Sequence, residues 1–162
     1  MTRLRLAAAD AEDLQVLSAR LQDAVLKLKD VVWQPKKHRF AAVVNRLVWE
    51  EGGRTRVRAG LHFDSVLKVQ SHKVKLGAEE AVIALLAVTF TPNAQPAEGE
   101  DPGGVIELVL AGGGAIRLTV ECIQAELTDL TQPWAARGRP DHEAPARGAP
   151  DKDVSPGNGD GA

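Results

Sequence analysis

Val105-Ile106-Glu107-Leu108-Val109-Leu110-Ala111-Gly112-Gly113-Gly114-Ala115-Ile116-Arg117-Leu118-Thr119-Val120 is the stretch that decides the fold class. Two aliphatic runs flank a glycine turn, and glycine supplies the positive φ angles that tight hairpin turns demand. The spacing predicts a hairpin of Val105–Leu110 with Ala115–Val120. A phosphate loop at Gly112-Gly113-Gly114 is disfavoured by mechanism. Such a loop opens a helix, so that amide hydrogens and the dipole face the anion, whereas here a strand follows and no Lys-Ser/Thr pair appears.

The same two-residue period extends outward from this hairpin. Arg54–Phe63 places Val57, Ala59, Leu61 and Phe63 on one face, and Gly52-Gly53 makes the turn before it. Phe40–Trp49, Val66–Ser71 and Val82–Thr91 read as further strands. Val25, Lys27 and Lys29 alternate with Leu26 and Leu28, and Val31–Trp33 leads into a turn at Gln34-Pro35-Lys36-Lys37-His38. Near the N-terminus, Arg3–Leu6 suits a short strand. Asp10-Ala11-Glu12-Asp13 marks a helix start with Asp10 as N-cap, and Leu14, Leu17 and Leu21 carry the helix to about Gln22.

Cys122–Leu130 fits two patterns. Ile123, Ala125 and Leu127 alternate as in a strand continuing past a bulge, while Val120, Ile123, Leu127 and Leu130 also share a helical face. A closing helix would give the order of a pleckstrin-homology-like barrel, and the strand is preferred. The expected fold is α+β and mostly antiparallel, one N-terminal helix with about seven strands in a curved sheet or small barrel. Residues 1–134 form one globular domain, interrupted by an acidic Pro/Gly loop at 92–103. Residues 135–162 read as a disordered acidic tail, because Val154 is their only large aliphatic residue and little area could offset the entropy of ordering.

Composition bounds the function. Hydrophobic residues at 44% and charged residues at 26% are ordinary, but aromatics make up only 4%, so aliphatic side chains must build the core. A single cysteine, Cys122, excludes an intramolecular disulfide and suits a reducing compartment. The N-terminus lacks the apolar stretch of a secretory signal. The longest apolar run, Ala81–Val88, is too short to span a bilayer. A cytoplasmic protein without membrane association is expected.

Charge is unevenly laid out. Residues 1–76 carry 15 Lys/Arg against 8 Asp/Glu, and residues 77–162 carry 5 against 14. Arg54, Arg56 and Arg58 recur at spacing two, which on one strand face makes a row of guanidinium forks. Lys36, Lys37 and Arg39 cluster at a turn, and Lys68 lies beyond. These seven are the candidate residues for an anionic partner, either an acidic protein or a phosphate-bearing ligand. Competing explanations are a solvated outer sheet face, an edge guarded by charge, or self-neutralisation by the acidic loop or tail. Nucleic acid is weakly supported, because Trp33, Phe40, Trp49 and Phe63 mostly sit where core residues are expected and no recognition motif accompanies them.

Catalytic signatures are missing. His38, His62, His72 and His142 lack metal-ligand spacing, so no metal and no cofactor is expected. Cys122 lies in an apolar run and reads as an inert core thiol. Glu50-Glu51 and Glu79-Glu80 are adjacent pairs, which a strand would turn to opposite faces. The leading expectation is a non-enzymatic binding module with a basic sheet face. The alternatives are a small enzyme using Arg58, His62 and Asp64 on an anionic metabolite, and a structural homo-oligomer whose basic face meets an acidic loop.

Several runs carry a family likeness: Leu21-Gln22-Asp23-Ala24-Val25, Arg58-Ala59-Gly60-Leu61-His62-Phe63, Val66-Leu67-Lys68-Val69-Gln70-Ser71 and Leu85-Leu86-Ala87-Val88-Thr89-Phe90. The fifth and longest is Gly112-Gly113-Gly114-Ala115-Ile116-Arg117-Leu118-Thr119-Val120-Glu121-Cys122-Ile123. Together they resemble the alphaproteobacterial family called domain of unknown function 2948, over roughly residues 4–143. The resemblance implies a bacterial cytoplasmic protein and brings no activity, cofactor or catalytic residue with it.

Overall fold

Asp10 caps the helix as expected. In the computed structural model, which describes residues 3–74, 78–93, 103–132 and 134–135, its carboxylate accepts the Asp13 N–H at 2.8 Å and opens α1 (Ala11–Leu21). Glu12 and Asp13 in the first turn and Arg20 in the last complement the helix dipole. Leu14, Leu17 and Leu21 are buried. Nearly all of the tail, and residues 94–102 of the acidic loop, lie outside the described residues.

Eleven strands form one sheet among the described residues. β1 (Arg5–Ala8) precedes the helix, and β2 (Ala24–Lys27), β3 (Val31–Gln34), β4 (Arg39–Leu47) and β5 (Thr55–Phe63) follow it. The remainder are β6 (Val66–His72), β7 (Val82–Pro92), β8 (Gly104–Leu110), β9 (Ala115–Val120), β10 (Ala125–Asp129) and β11 (Trp134–Ala135). The number exceeds the expected seven because 3₁₀ turns at Leu28–Asp30 and Pro35–Lys37 set off short strands and the chain ends add two more. Every pairing is antiparallel, in the order β1-β10-β5-β4-β2-β7-β8-β9-β6, with β3 on β4 and β11 on β5.

The predicted hairpin is β8–β9, with Val109 opposite Ala115 and Gly112 and Gly113 at φ 88° and 90°. Cys122 does not sit within a continuing strand. The chain bends at 121–124, so β9 lies between β8 and β6 while β10 lies between β1 and β5. Cys122 itself is half-buried in this bend rather than part of the core. The strand reading of 125–129 holds, and the helix that a pleckstrin-homology-like order needs there is replaced by β10.

The sheet is open, not a closed barrel, since among the described residues β1 and β6 each bond a strand on one side only. Nine strands at about 4.8 Å spacing would span roughly 38 Å if flat. Yet residues from Ala8 on β1 to Val66 on β6 belong to one core, so the sheet must wrap around it. Helix α1 packs on both β1 and β7, bridging an edge to the middle of the sheet. Beyond the end of β2 it also satisfies β7, where Ser18 Oγ accepts the Val88 N–H at 2.8 Å.

One charge lies inside this core. On β4, Phe40, Ala42, Val44 and Arg46 point inward, and Arg46 is 0% exposed. Its Nε and Nη2 donate to the two carboxylate oxygens of Asp129 on β10, both at 2.9 Å. Nη1 and Nη2 donate to Glu50 at 3.2 and 3.0 Å, and Nη1 also donates to Leu47 O at 3.2 Å. All five guanidinium N–H groups are therefore used. Asp129 additionally accepts the Leu4 N–H at 2.9 Å, tying the edge strand β1 to the same clamp.

Removing one partner strands a buried charge. Asp129→Ala should cost about 3–5 kcal/mol, read as a lowered urea midpoint with unchanged slope. The double variant Arg46→Leu/Asp129→Leu should lose clearly less than the sum of the two single changes. Strict additivity would show that the pair is not coupled.

Candidate functional site

A groove on the outer face of the sheet follows from the route of β2. β2 meets β4 at one register position, Val25 opposite Asn45, and runs otherwise along β7, from Ala24 opposite Leu85 to Lys27 opposite Val82. The 3₁₀ turn at Leu28–Asp30 follows, and β3 rejoins β4 only at Arg39–Ala42. Val43 thus lies between two partial neighbours. The depression there has a volume of about 390 Å³, with Val25, Val43 and Val82 as apolar lining. Lys27, Lys29 and Arg58 supply its positive charge, with Asn45 and Asp30 beside them.

Two of these cations already have a carboxylate. Lys27 Nζ and Lys29 Nζ each lie 3.6 Å from an oxygen of Glu80. Arg58 is different: its backbone N–H donates to Thr131 Oγ1 at 3.1 Å, but its exposed guanidinium pairs with no described residue. Asn45 is its direct cross-strand neighbour. An unpaired guanidinium beside a carboxamide, two ammonium groups and an apolar floor can take an anion that carries some apolar surface.

The expected arginine row is only partly assembled. Arg56 and Arg58 lie on the outer face of β5, but Arg54 precedes the strand in the turn. Arg56 is half-buried and donates from Nη1 to Asn45 O at 2.9 Å. Burial lowers its pKa. Arg39 is engaged with Asp64 through Nε at 2.7 Å and Nη2 at 3.4 Å, and this hydrogen bonding raises its pKa. Lys36 and Lys37 are exposed on the 3₁₀ turn at Pro35–Lys37, and Lys68 is exposed on β6. They lie apart from the groove, whose Lys27, Lys29 and Asn45 were not among the sequence candidates. Only the alternation of Val25, Lys27 and Lys29 hinted at the first two.

His62 and Asp64 do meet. His62 Nδ1 lies 3.1 Å from Asp64 Oδ2, though not aligned for a hydrogen bond, and Nε2 lies 3.1 Å from Glu126 Oε1. With Arg39 on Asp64 and Arg5 Nε on Glu126 Oε2 at 3.3 Å, an ionic chain runs across the outer face from β4 to β1. Arg58 is not part of it, so the three residues of the enzymatic alternative do not share a cavity. Among the described residues no group of three His, Cys, Asp or Glu is placed to hold a metal ion, and no helix is long and apolar enough to cross a membrane.

A sequence profile described as "Protein of unknown function (DUF2948)" matches residues 4–142. The chain belongs to this family. Neither a curated protein nor a solved structure matches it. Membership in DUF2948 covers the whole described sheet, including the groove and the ionic chain, and leaves the chemistry of both to be argued from their geometry.

Glu126 offers a direct check on the ionic chain. Its hydrogen bonds from His62 and then Arg5 hold its carboxyl below the usual glutamate range. A carboxylate depressed in the folded state contributes stability above its unfolded pKa of about 4.3, and that contribution fades as pH falls through the lower folded value. Carboxyl NMR titration should place Glu126 below the ordinary value in the parent chain. His62→Ala should move it upward, and the acid limb of the stability–pH curve should become shallower. An unchanged titration would remove His62 from the chain.

Proposed function

We propose that this DUF2948 domain is a non-enzymatic binding module that takes an anionic ligand in the groove between β2 and β4. The observation that carries this reading is Arg58, exposed and without an acidic partner among the described residues, at the mouth of a 390 Å³ depression. Arg46, Arg39 and Arg5 elsewhere in the sheet face carboxylates, as do Lys27 and Lys29 at the groove itself. A guanidinium left open beside apolar surface and two lysines is suited to a carboxylate or phosphate oxygen pair. The ligand class is therefore a phosphate-bearing or carboxylate-rich molecule, or an acidic side chain of a partner protein.

A thermal-shift series with inorganic phosphate, phosphorylated sugars and dicarboxylates tests this. A ligand present at a hundred times its Kd stabilises the native state by about 2.7 kcal/mol. At least one anion should raise the melting temperature of the parent chain and lose most of that effect with Arg58→Glu. The same anion should act undiminished on Lys36→Glu/Lys37→Glu. No response to any anion, or an equal response in Arg58→Glu, would refute the groove as the site.

A further inference from the structure

Three of the sequence candidates, Lys36, Lys37 and Lys68, are not absorbed by the groove, and they gather at one edge of the sheet. Among the described residues β6 ends the strand order and pairs with β9 alone, from Val66 opposite Val120 to His72 opposite Ala115. Successive residues of a strand turn their backbone polar groups to opposite sides. Ser65 O accepts the Glu121 N–H on the β9 side. Val66 must then look the other way, and there its N–H donates to His38 O at 2.9 Å while its carbonyl lies 3.1 Å from His38 Nδ1. The Pro35–Lys37 turn and His38 therefore cover the first position on the free side of β6. From Leu67 to His72 no described strand follows on that side.

The open stretch is chemically distinctive. Leu67, Lys68, Gln70, Ser71 and His72 are exposed, with Leu67 at 48%. Lys36, Lys37 and Lys68 make no ion pair with any described residue, and Lys73 follows directly after the strand. A lysine on an edge is a device against unwanted strand pairing. It is a selective one: a second copy would bring its own lysines to the contact, whereas a strand carrying carboxylates would relieve the repulsion. Free backbone donors and acceptors give the affinity of strand addition, and side-chain charge decides which strand is accepted.

We propose that the free edge of β6 receives an extended acidic segment of a partner protein as an added strand. Lys68 faces the carboxylates of that segment along the strand, and Lys36 and Lys37 face them at its end near Val66. This surface is separate from the Arg58 groove and stands or falls independently of it.

The test uses the full chain and a pool of synthetic decapeptides in which Glu alternates with Val or Ile. A second pool has Gln in place of Glu, and a third keeps Glu but is N-methylated at alternate residues, so that charge remains and the ladder cannot form. The acidic pool should bind at least tenfold more tightly than either control and weaken with added salt. Binding should slow amide hydrogen exchange within residues 67–72. Lys36→Glu/Lys37→Glu/Lys68→Glu should abolish binding with its melting temperature retained, while Arg58→Glu should bind like the parent. Equal binding of the Gln or N-methylated pools, or protection elsewhere, would overturn strand addition. Protection of β6 that rises with protein concentration in the absence of peptide would identify a second copy as the occupant and overturn the acidic partner.

Discussion

The buried guanidinium of Arg46 is the constraint on which the arrangement of the sheet rests. Moving a charge into an apolar core costs several kcal/mol, and attraction compensates only where geometry is close and every donor is used. Both conditions hold here. The contact to Asp129 spans 83 positions of sequence, and Asp129 lies on the strand that joins β1 to β5. Burial, the largest single influence, would raise the pKa of Glu50, yet the Arg46 hydrogen bonds, a backbone hydrogen bond and the charges of Arg46 and Arg20 together outweigh it and hold the carboxyl below its usual range. An apolar pair could have filled the same volume. The ionic clamp adds a condition that apolar packing lacks, because β10 must arrive in the one register that brings Asp129 to the guanidinium.

Seen from that clamp, part of the charge asymmetry along the chain belongs to the fold itself. Arg46 with Asp129, Arg5 and His62 with Glu126, and Lys27 and Lys29 with Glu80 each join the basic first half to the acidic second half. An antiparallel sheet whose N-terminal strands neighbour its C-terminal ones converts a linear charge split into cross-strand neutrality. What matters functionally is the remainder after this pairing. Among the described residues, Arg58 remains at the groove, and Lys36, Lys37 and Lys68 remain at the β6 edge.

The elements were legible because each rests on a local rule. The glycine turn, the period of two in β5 and β8, and the capped leucine repeat of α1 all predicted their elements. Strand neighbours were not legible, since pairing joins residues far apart and no local pattern records it. Strand faces were harder still where register shifts. Irregularities between Leu85 and Ala87 and between Val66 and Lys68 invert the alternation within β7 and β6. Arg46 escaped notice because a charged residue in a β-rich run ordinarily marks the solvent face, and only the position of Asp129 reverses that expectation. The groove was invisible for a related reason: it arises where β2 leaves β4 after one paired position, a property of topology rather than of any motif.

Groove and edge would discriminate among anions by different physics. In the groove, one guanidinium, two ammonium groups and apolar walls meet around a concave volume, so shape and bidentate geometry would select a ligand there. At the edge the lysines are exposed and their attraction is screened within about 8 Å at physiological salt. Charge alone would give a weak and indiscriminate contact there, and the backbone ladder must supply most of the affinity. The lysines would then act chiefly by exclusion, repelling basic strands and copies of the same edge. A sheet that neutralises its interior charge so fully, and among the described residues still leaves cations at these two places, would separate the charges that build the fold from those available to a partner.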